Sequence, residues 1–286
     1  MSQKTKGRKL CALFLLSLTL CMAFTPLLSV RTYAATASDY PSTAIILNGT
    51  TMYRKGAVVN GEVYVEMYGF MRIFSSAATY SLSGAAVTVY GKGLTVTGET
   101  NSPYLHANDR VIYNPAPAKV IGNSLWVPLS SMAKAAGLSY ERTANTKVNL
   151  SGTYKPILHG ASFYREDEVY WLSKIISAES RGEPAHGQIA VGNVILNRVR
   201  SSSFPNTIYG VIFDKKYGVQ FSPVSDGSIY GTPTAKCILA AKACLEGYSI
   251  SSEILYFYHP PYKGAQCWAS KNRPFAFTIG GHDFYN

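Results

Sequence analysis

The pattern of apolar and polar positions divides the chain into three stretches. An apolar run from Leu10 to Phe24 follows a basic start and precedes small residues. From residue 41 to 152, short alternating runs such as Val63-Tyr64-Val65 and Ala86-Val87-Thr88-Val89 sit between Gly and Asn. That is the pattern of brief strands and tight turns. Beyond residue 166 the spacing lengthens to that of helices. Val169, Leu172 and Ile176 stand at i, i+3 and i+7 of a predicted helix over 167–179, and Glu179 extends the series at i+10. Gly182 and Pro184 end it, and a second helix is predicted over 185–200 with Ile189, Gly192, Leu196 and Val199 on one stripe. A third follows Thr232-Pro233, read as N-cap and first helical residue, and ends at Gly247. The fold class is α+β, a β-rich N-terminal domain followed by a mainly α domain.

The first stretch predicts a secretory signal over 1–34. Lys4, Lys6, Arg8 and Lys9 precede the apolar run, and Thr32-Tyr33-Ala34 or Ala35-Thr36-Ala37 offers a cleavage site. Ser17 and Thr19 dilute a run already short for a span, so no stable membrane insertion is expected once the signal is removed. Its removal takes Cys11 and Cys21 with it. Cys237 and Cys244, seven apart on the third helix, lie about 10 Å apart along its axis, too far to bond to each other. A bond from Cys267 to one of them stays open. Five of the 27 basic residues belong to the leader, so the exported chain is moderately basic and suits an acidic polymer. Export and the lack of a dense basic block argue against nucleic acid.

The second stretch contains a weak repeat. Gly61-Glu62-Val63-Tyr64-Val65-Glu66-Met67 parallels Asn123-Ser124-Leu125-Trp126-Val127-Pro128-Leu129. A helix-compatible segment follows each, over 68–77 and 130–136, and then a strand-like one. Two β–helix–β units stacked on one core are predicted. Residues 122–129 and 132–140 resemble the copper amine oxidase N-terminal-like domain, an accessory module of secreted bacterial proteins. The name implies no metal here. Between 41 and 150 the only His is His106, read as a surface residue, and there is no Cys. No cofactor or metal is expected anywhere. Residues 153–165, with Pro156 and Gly160, read as a linker, which leaves 41–152 and 166–286 as the two domains.

The chemistry falls in the third stretch. Glu179 puts a carboxylate on a face that should be buried, and desolvation raises its pKa. A carboxylic acid protonated near neutrality is the usual general acid of sugar cleavage. Gln188 and Asn197 flank the second stripe and are candidates to line a polar cleft, since amides both donate to and accept from sugar hydroxyls. Tyr256, Phe257, Tyr258, Trp268 and Phe284 are candidates to stack on sugar rings.

Ala178-Glu179-Ser180-Arg181-Gly182-Glu183 and Gly187-Gln188-Ile189-Ala190-Val191-Gly192-Asn193-Val194-Ile195-Leu196-Asn197-Arg198-Val199 resemble the core motif of the cell wall hydrolase family typified by the spore cortex-lytic enzyme SleB. Phe204-Pro205-Asn206-Thr207-Ile208, Gln220-Phe221-Ser222-Pro223-Val224-Ser225-Asp226-Gly227, Leu255-Tyr256-Phe257-Tyr258 and Ile279-Gly280-Gly281-His282-Asp283-Phe284-Tyr285 follow in order. The chain departs from the family at His259-Pro260, where Asn-Pro is usual. The resemblance implies a lysozyme-like domain, a muramidase or lytic transglycosylase reaction on peptidoglycan glycan strands, and Glu179 as its acid. It places Gln220, Ser222 and His282 beside Gln188, Asn197, Tyr256, Tyr258 and Trp268 among the substrate-binding candidates. It leans toward spore cortex and germination and implies a secreted protein of the wall or spore envelope. A lytic transglycosylase needs one acid/base, whereas other glycosidases normally pair two carboxylates. Asp226 and Glu183 are the candidates for a second, neither compelling.

Two alternatives remain. A zinc amidase would need three ligands, and His159, His186, His259 and His282 form no short-spaced pair. A non-catalytic wall-binding protein would have no use for a carboxylate on a buried stripe.

Overall fold

The computed structural model describes residues 35–52, 56–143, 147–262 and 264–286. The secretory signal read over 1–34 lies outside them. Among the described residues no helix is long and apolar enough to cross a membrane.

In the N-terminal domain β1 (Ser42–Leu47), β2 (Thr50–Thr51), β3 (Gly56–Val59) and β4 (Glu62–Glu66) lead into α1 (Met67–Phe74). A meander follows, β5 (Thr79–Ser83), β6 (Ala86–Gly91), β7 (Leu94–Glu99), β8 (Tyr104–Ala107) and β9 (Arg110–Tyr113). Then come β10 (Lys119–Ile121), β11 (Ser124–Pro128), α2 (Leu129–Ala135), β12 (Ser139–Thr143) and β13 (Lys147–Ser151). The meander is one sheet of five strands. The others join in the order β10-β11-β4-β3-β1-β13-β12, with β2 on β1. The parallel β1–β13 pair ties the start of the domain to its end.

The repeat is real and has a geometry. Strands β4 and β11, its two equivalent segments, pair antiparallel with Val65 opposite Val127. These are equivalent positions of the two units, so a pseudo-twofold axis passes between them. Met67 and Leu129, also equivalent, are both fully buried in one core with Phe70, Met71 and Met132.

Residues 153–165 are not a free linker. Lys155 and Ile157 donate their amides to Ala136 O and Ala135 O, at 3.0 and 3.1 Å, and Asn108 Nδ2 donates to Ile157 O at 2.9 Å. The segment then turns through α3 (Gly160–Phe163). Pro156 and Gly160 suggested looseness, but Gly160 serves close packing. A Cβ on Gly160 would lie 2.7 Å from Asp109 O.

The C-terminal half is built on α4 (Glu166–Ser180) and α5 (Ala185–Arg200), joined by a short turn. Then follow α6 (Ile208–Ile212), α7 (Ser222–Asp226), α8 (Ala235–Leu245), β14 (Tyr256–Tyr258), α9 (Trp268–Asn272), β15 (Phe275–Ile279) and β16 (His282–Tyr285). Helix α8 begins two residues later than predicted. Its cap is Thr234, whose Oγ1 accepts from Cys237 N at 3.2 Å, so Pro233 precedes the cap rather than opening the helix. Leu172, Ile175 and Ile176 of α4 are fully buried, each contributing roughly 1.5–3 kcal/mol. Gly192 lets α4, α5 and α8 meet, since a Cβ there would stand 2.7 Å from Cys244 Sγ and 2.9 Å from Ile176 Cδ1. Cys237, Cys244 and Cys267 are all free thiols. The sheet β14-β16-β15 was not read from the sequence.

The two halves share a core. Tyr104 and Val111 of the β-rich domain pack with the helical residues, and Tyr104 is buried beside Tyr113 at a ring distance of 5.4 Å. His106 is therefore not the surface histidine expected. It is half-buried near Lys242 of α8, and burial first and that charge second push its pKa below the ordinary value.

Candidate active site

Glu179 lies in the last turn of α4, half-buried, where the first-helix stripe predicted it. Burial pushes its pKa up to about 7, and the charge of Asp226 adds to the effect. The negative end of the helix dipole acts in the same sense. Asp226 closes α7, which packs on α4. Its own pKa is held below the usual range by hydrogen bonding with Ser228, whose backbone N donates to Oδ1 at 2.8 Å. One carboxyl thus holds a proton near neutrality while its neighbour is ionised. The site can deliver a proton and take it back.

The turn after Glu179 is braced from two sides. Gln188 Nε2 donates to Glu183 O at 3.0 Å and to Arg181 O at 3.4 Å. Glu183 Oε2 accepts from Gly281 N at 2.9 Å, which fastens the β15–β16 hairpin to the α4–α5 turn. Gly280 must be glycine there. Its φ is +59°, and a Cβ would overlap Glu183 Oε2. Glu183 is thus a bracing residue in this structure, its carboxylate spent on the hairpin.

Three substrate-binding candidates are corrected. Gln188 is 1% exposed and Asn197 4% exposed, so neither lines an open cleft. Asn197 Nδ2 donates to Ser251 O and Ile254 O, at 3.0 and 2.9 Å, and holds the chain leading to β14. His282 is also buried, under Phe257 and His259, with Nδ1 3.5 Å from Glu183 Oε1. Burial is the largest influence on it and lowers its pKa, so it stands as a neutral ring behind the hairpin. Amide groups suit sugars, but those of Gln188 and Asn197 here satisfy backbone carbonyls instead.

The remaining candidates are accessible. Gln220 is half-buried, with Nε2 donating to Gly218 O, and Ser222 is exposed at the start of α7, the helix that carries Asp226. Tyr258 is half-buried on β14. Tyr256 packs at a tilt against Trp268, with ring centres 5.7 Å apart, and Trp268 is 58% exposed. Of the aromatic candidates, Phe284 is fully buried and is core. Sequence reasoning missed Arg198. It is buried, donates from Nε to Leu255 O at 2.7 Å, and lies over the rings of Phe204, Phe221 and Tyr256. Burial lowers its pKa to about 10. A basic residue between Leu196 and Val199, beside the stripe, was the available signal. Among the described residues, no three His, Cys, Asp or Glu side chains stand grouped to hold a metal ion.

Residues 182–285 match the Cell Wall Hydrolase family, a match that begins just after Glu179, and residues 46–149 match the Copper amine oxidase N-terminal domain. A spore cortex-lytic enzyme of Bacillus cereus is 38% identical over 122 residues, 42% of this chain and 45% of that protein. One of Oceanobacillus iheyensis is 33% identical over 142 residues, 50% of this chain and 49% of its own length. The chain therefore spans about half the length of these curated relatives. Among solved structures, the catalytic domain of the germination-specific lytic transglycosylase SleB from Bacillus anthracis is 37% identical, with a TM-score of 0.39. That match covers 46% of this chain and 100% of that one. The chain thus carries a cell wall hydrolase domain in its C-terminal half, with a copper amine oxidase N-terminal-like domain upstream.

Proposed function

We propose that the protein degrades peptidoglycan by cutting the glycosidic bond between N-acetylmuramic acid and N-acetylglucosamine, with Glu179 as acid and then base. The observation that carries this reading is a half-buried carboxyl, raised to about pH 7, beside the ionised Asp226. Glu179 gives its proton to the glycosidic oxygen as the C1–O bond breaks. The 6-hydroxyl of the muramyl residue attacks C1, and the Glu179 carboxylate takes the hydroxyl proton. The products are a free 4-hydroxyl and a 1,6-anhydro end, and the enzyme returns to its starting state. The names of the relatives favour this lytic transglycosylase reaction on spore cortex.

In this reading residues 166–286 perform the chemistry, and 41–152 hold the enzyme at the wall. Gln220, Ser222, Tyr256, Tyr258 and Trp268 contact the glycan. The leader read over 1–34 exports the chain to the wall or spore envelope.

Mass spectrometry of muropeptides from a cortex digest tests the reading. It should find 1,6-anhydromuramyl ends that disappear with Glu179→Gln. New peptide amines in place of new sugar ends would instead identify an amidase.

A further inference from the structure

A second ligand site lies further back along the helix that carries Glu179. Trp171 stands eight residues before Glu179 on α4, about 12 Å along the axis. Its indole is the hub of an aromatic group, with ring distances of 4.9 Å to Tyr170, 5.2 Å to Tyr209 and 6.5 Å to Tyr230. Tyr209 is 53% and Tyr230 61% exposed. A cavity of about 220 Å³ opens beside Trp171 and Tyr209, between the start of α4, the end of α5 and α6. Asn206 lines it on one side, and the Arg165–Asp167 pair, 2.9 Å apart, on another.

The aromatic group is continuous with the catalytic region. Lys174 is buried and donates to Tyr230 O and Gly231 O, each at 2.9 Å, and so fixes the Tyr230 segment onto α4 between Trp171 and Glu179. That segment directly follows α7 and Asp226.

We propose that the Trp171–Tyr209 pocket is a distal subsite for an amino-sugar residue of the same glycan strand that is cut at Glu179. The inference rests on the glycan-cleaving reading above. A pyranose has an apolar C–H face and a rim of hydroxyl and acetamido groups. The rings of Trp171 and Tyr209 suit the face, while the Asn206 amide and the Arg165–Asp167 fork offer donors and acceptors to the rim. A strand long enough to reach both places is held twice, and the second contact is intramolecular. Short fragments reach only one.

The test uses the full chain with Glu179→Gln, so that strands are bound but not cut, labelled with 5-fluorotryptophan. The three signals belong to Trp126, Trp171 and Trp268. Trp171→Phe identifies its own signal. Should that variant fail to fold, Trp126→Phe and Trp268→Phe identify it by elimination. The titrants are peptide-free glycan strands, a tetrasaccharide and a muramyl stem peptide without sugar. Long strands should shift the Trp171 signal. In the cutting enzyme, Tyr209→Ala should lower the long-strand to tetrasaccharide ratio of kcat/KM about tenfold, through KM. If strands are bound and cut while the Trp171 signal stays in place, the subsite is wrong and the Glu179 reading stands. A shift with the stem peptide equal to that with strands overturns the sugar assignment. If no strand is bound or cut, both readings fail together.

Discussion

Arg110 and Glu246, 136 residues apart, form a two-pronged ion pair across the two halves of the chain. Nε and Nη2 of the one donate to Oε1 and Oε2 of the other, both at 2.7 Å. Lys134 and Tyr164 add their own contacts to Glu246. Burial alone would raise the Glu246 pKa, but hydrogen bonds and charge from Arg110, Tyr164 and Lys134 bring it below the ordinary value. Because the folded pKa is depressed, the stabilisation is present above the unfolded value and is lost as pH falls through the folded one.

Arg110→Met should therefore destabilise the protein by about 3 kcal/mol, the lower end for stranding a buried charge, because Lys134 and Tyr164 remain. Denaturant unfolding at neutral pH measures this. Adding Glu246→Leu should recover part of the loss. A fragment of 153–286 should melt earlier than the full chain, since it exposes Glu246 and the core positions that Tyr104 and Val111 cover. Equal melting temperatures would show the two halves to be independent.

Glu179→Gln should lower turnover by roughly 10²-fold or more, the usual scale for a positioned acid/base. Stability should move the other way. The folded pKa of Glu179 lies above its unfolded value, so its contribution is fully present in acid and is lost as pH rises through about 7. Above that pH the amide variant should melt higher than the parent. A lower melting point there would mean that Glu179 is not desolvated.

Activity of the parent should decline above about pH 7 as the donated proton is lost. Asp226→Asn removes the second cause of the raised pKa, so the alkaline limb should move to lower pH. Burial, the larger cause, remains, and the limb should stay above that of a solvated Glu. A pH–rate profile of both enzymes reads this directly. An unmoved limb would separate Asp226 from Glu179.

Glu183→Ala should cost about 1.5–3 kcal/mol, the range for a hydrogen bond to a charged group, by releasing Gly281 N. Glu183→Gln, which can still accept, should cost less and keep most activity. If Glu183→Gln is as inactive as Glu179→Gln, Glu183 is a second catalytic carboxylate and not a brace.

What could be read in advance was local. Helix α5 runs over 185–200 as predicted, because Pro184 and the Ile189–Val199 stripe are signals within one segment. The Glu179 position followed from the same kind of count. What could not be read depends on partners far along the chain. Gln188, Asn197 and His282 look like sugar ligands by residue type, yet their neighbours are backbone groups and carboxylates in other elements. Arg198 and Glu246 look like surface charges until the loop before β14 and the β-rich domain close over them. The start of α8 was misplaced because proline fits before a cap as well as after one.

The pairing of Val65 with Val127 makes the accessory domain resemble a symmetric dimer folded into one chain. In an isologous contact each surface is its own complement, so residues on the axis face their own equivalents. Truncating either valine to alanine opens space at the same point, and the two losses should not add. The axis also restricts how this region can change. A larger side chain at one of the two positions takes its room from the other, so the copies are free to diverge at their outer edges but must keep a shared volume where they meet.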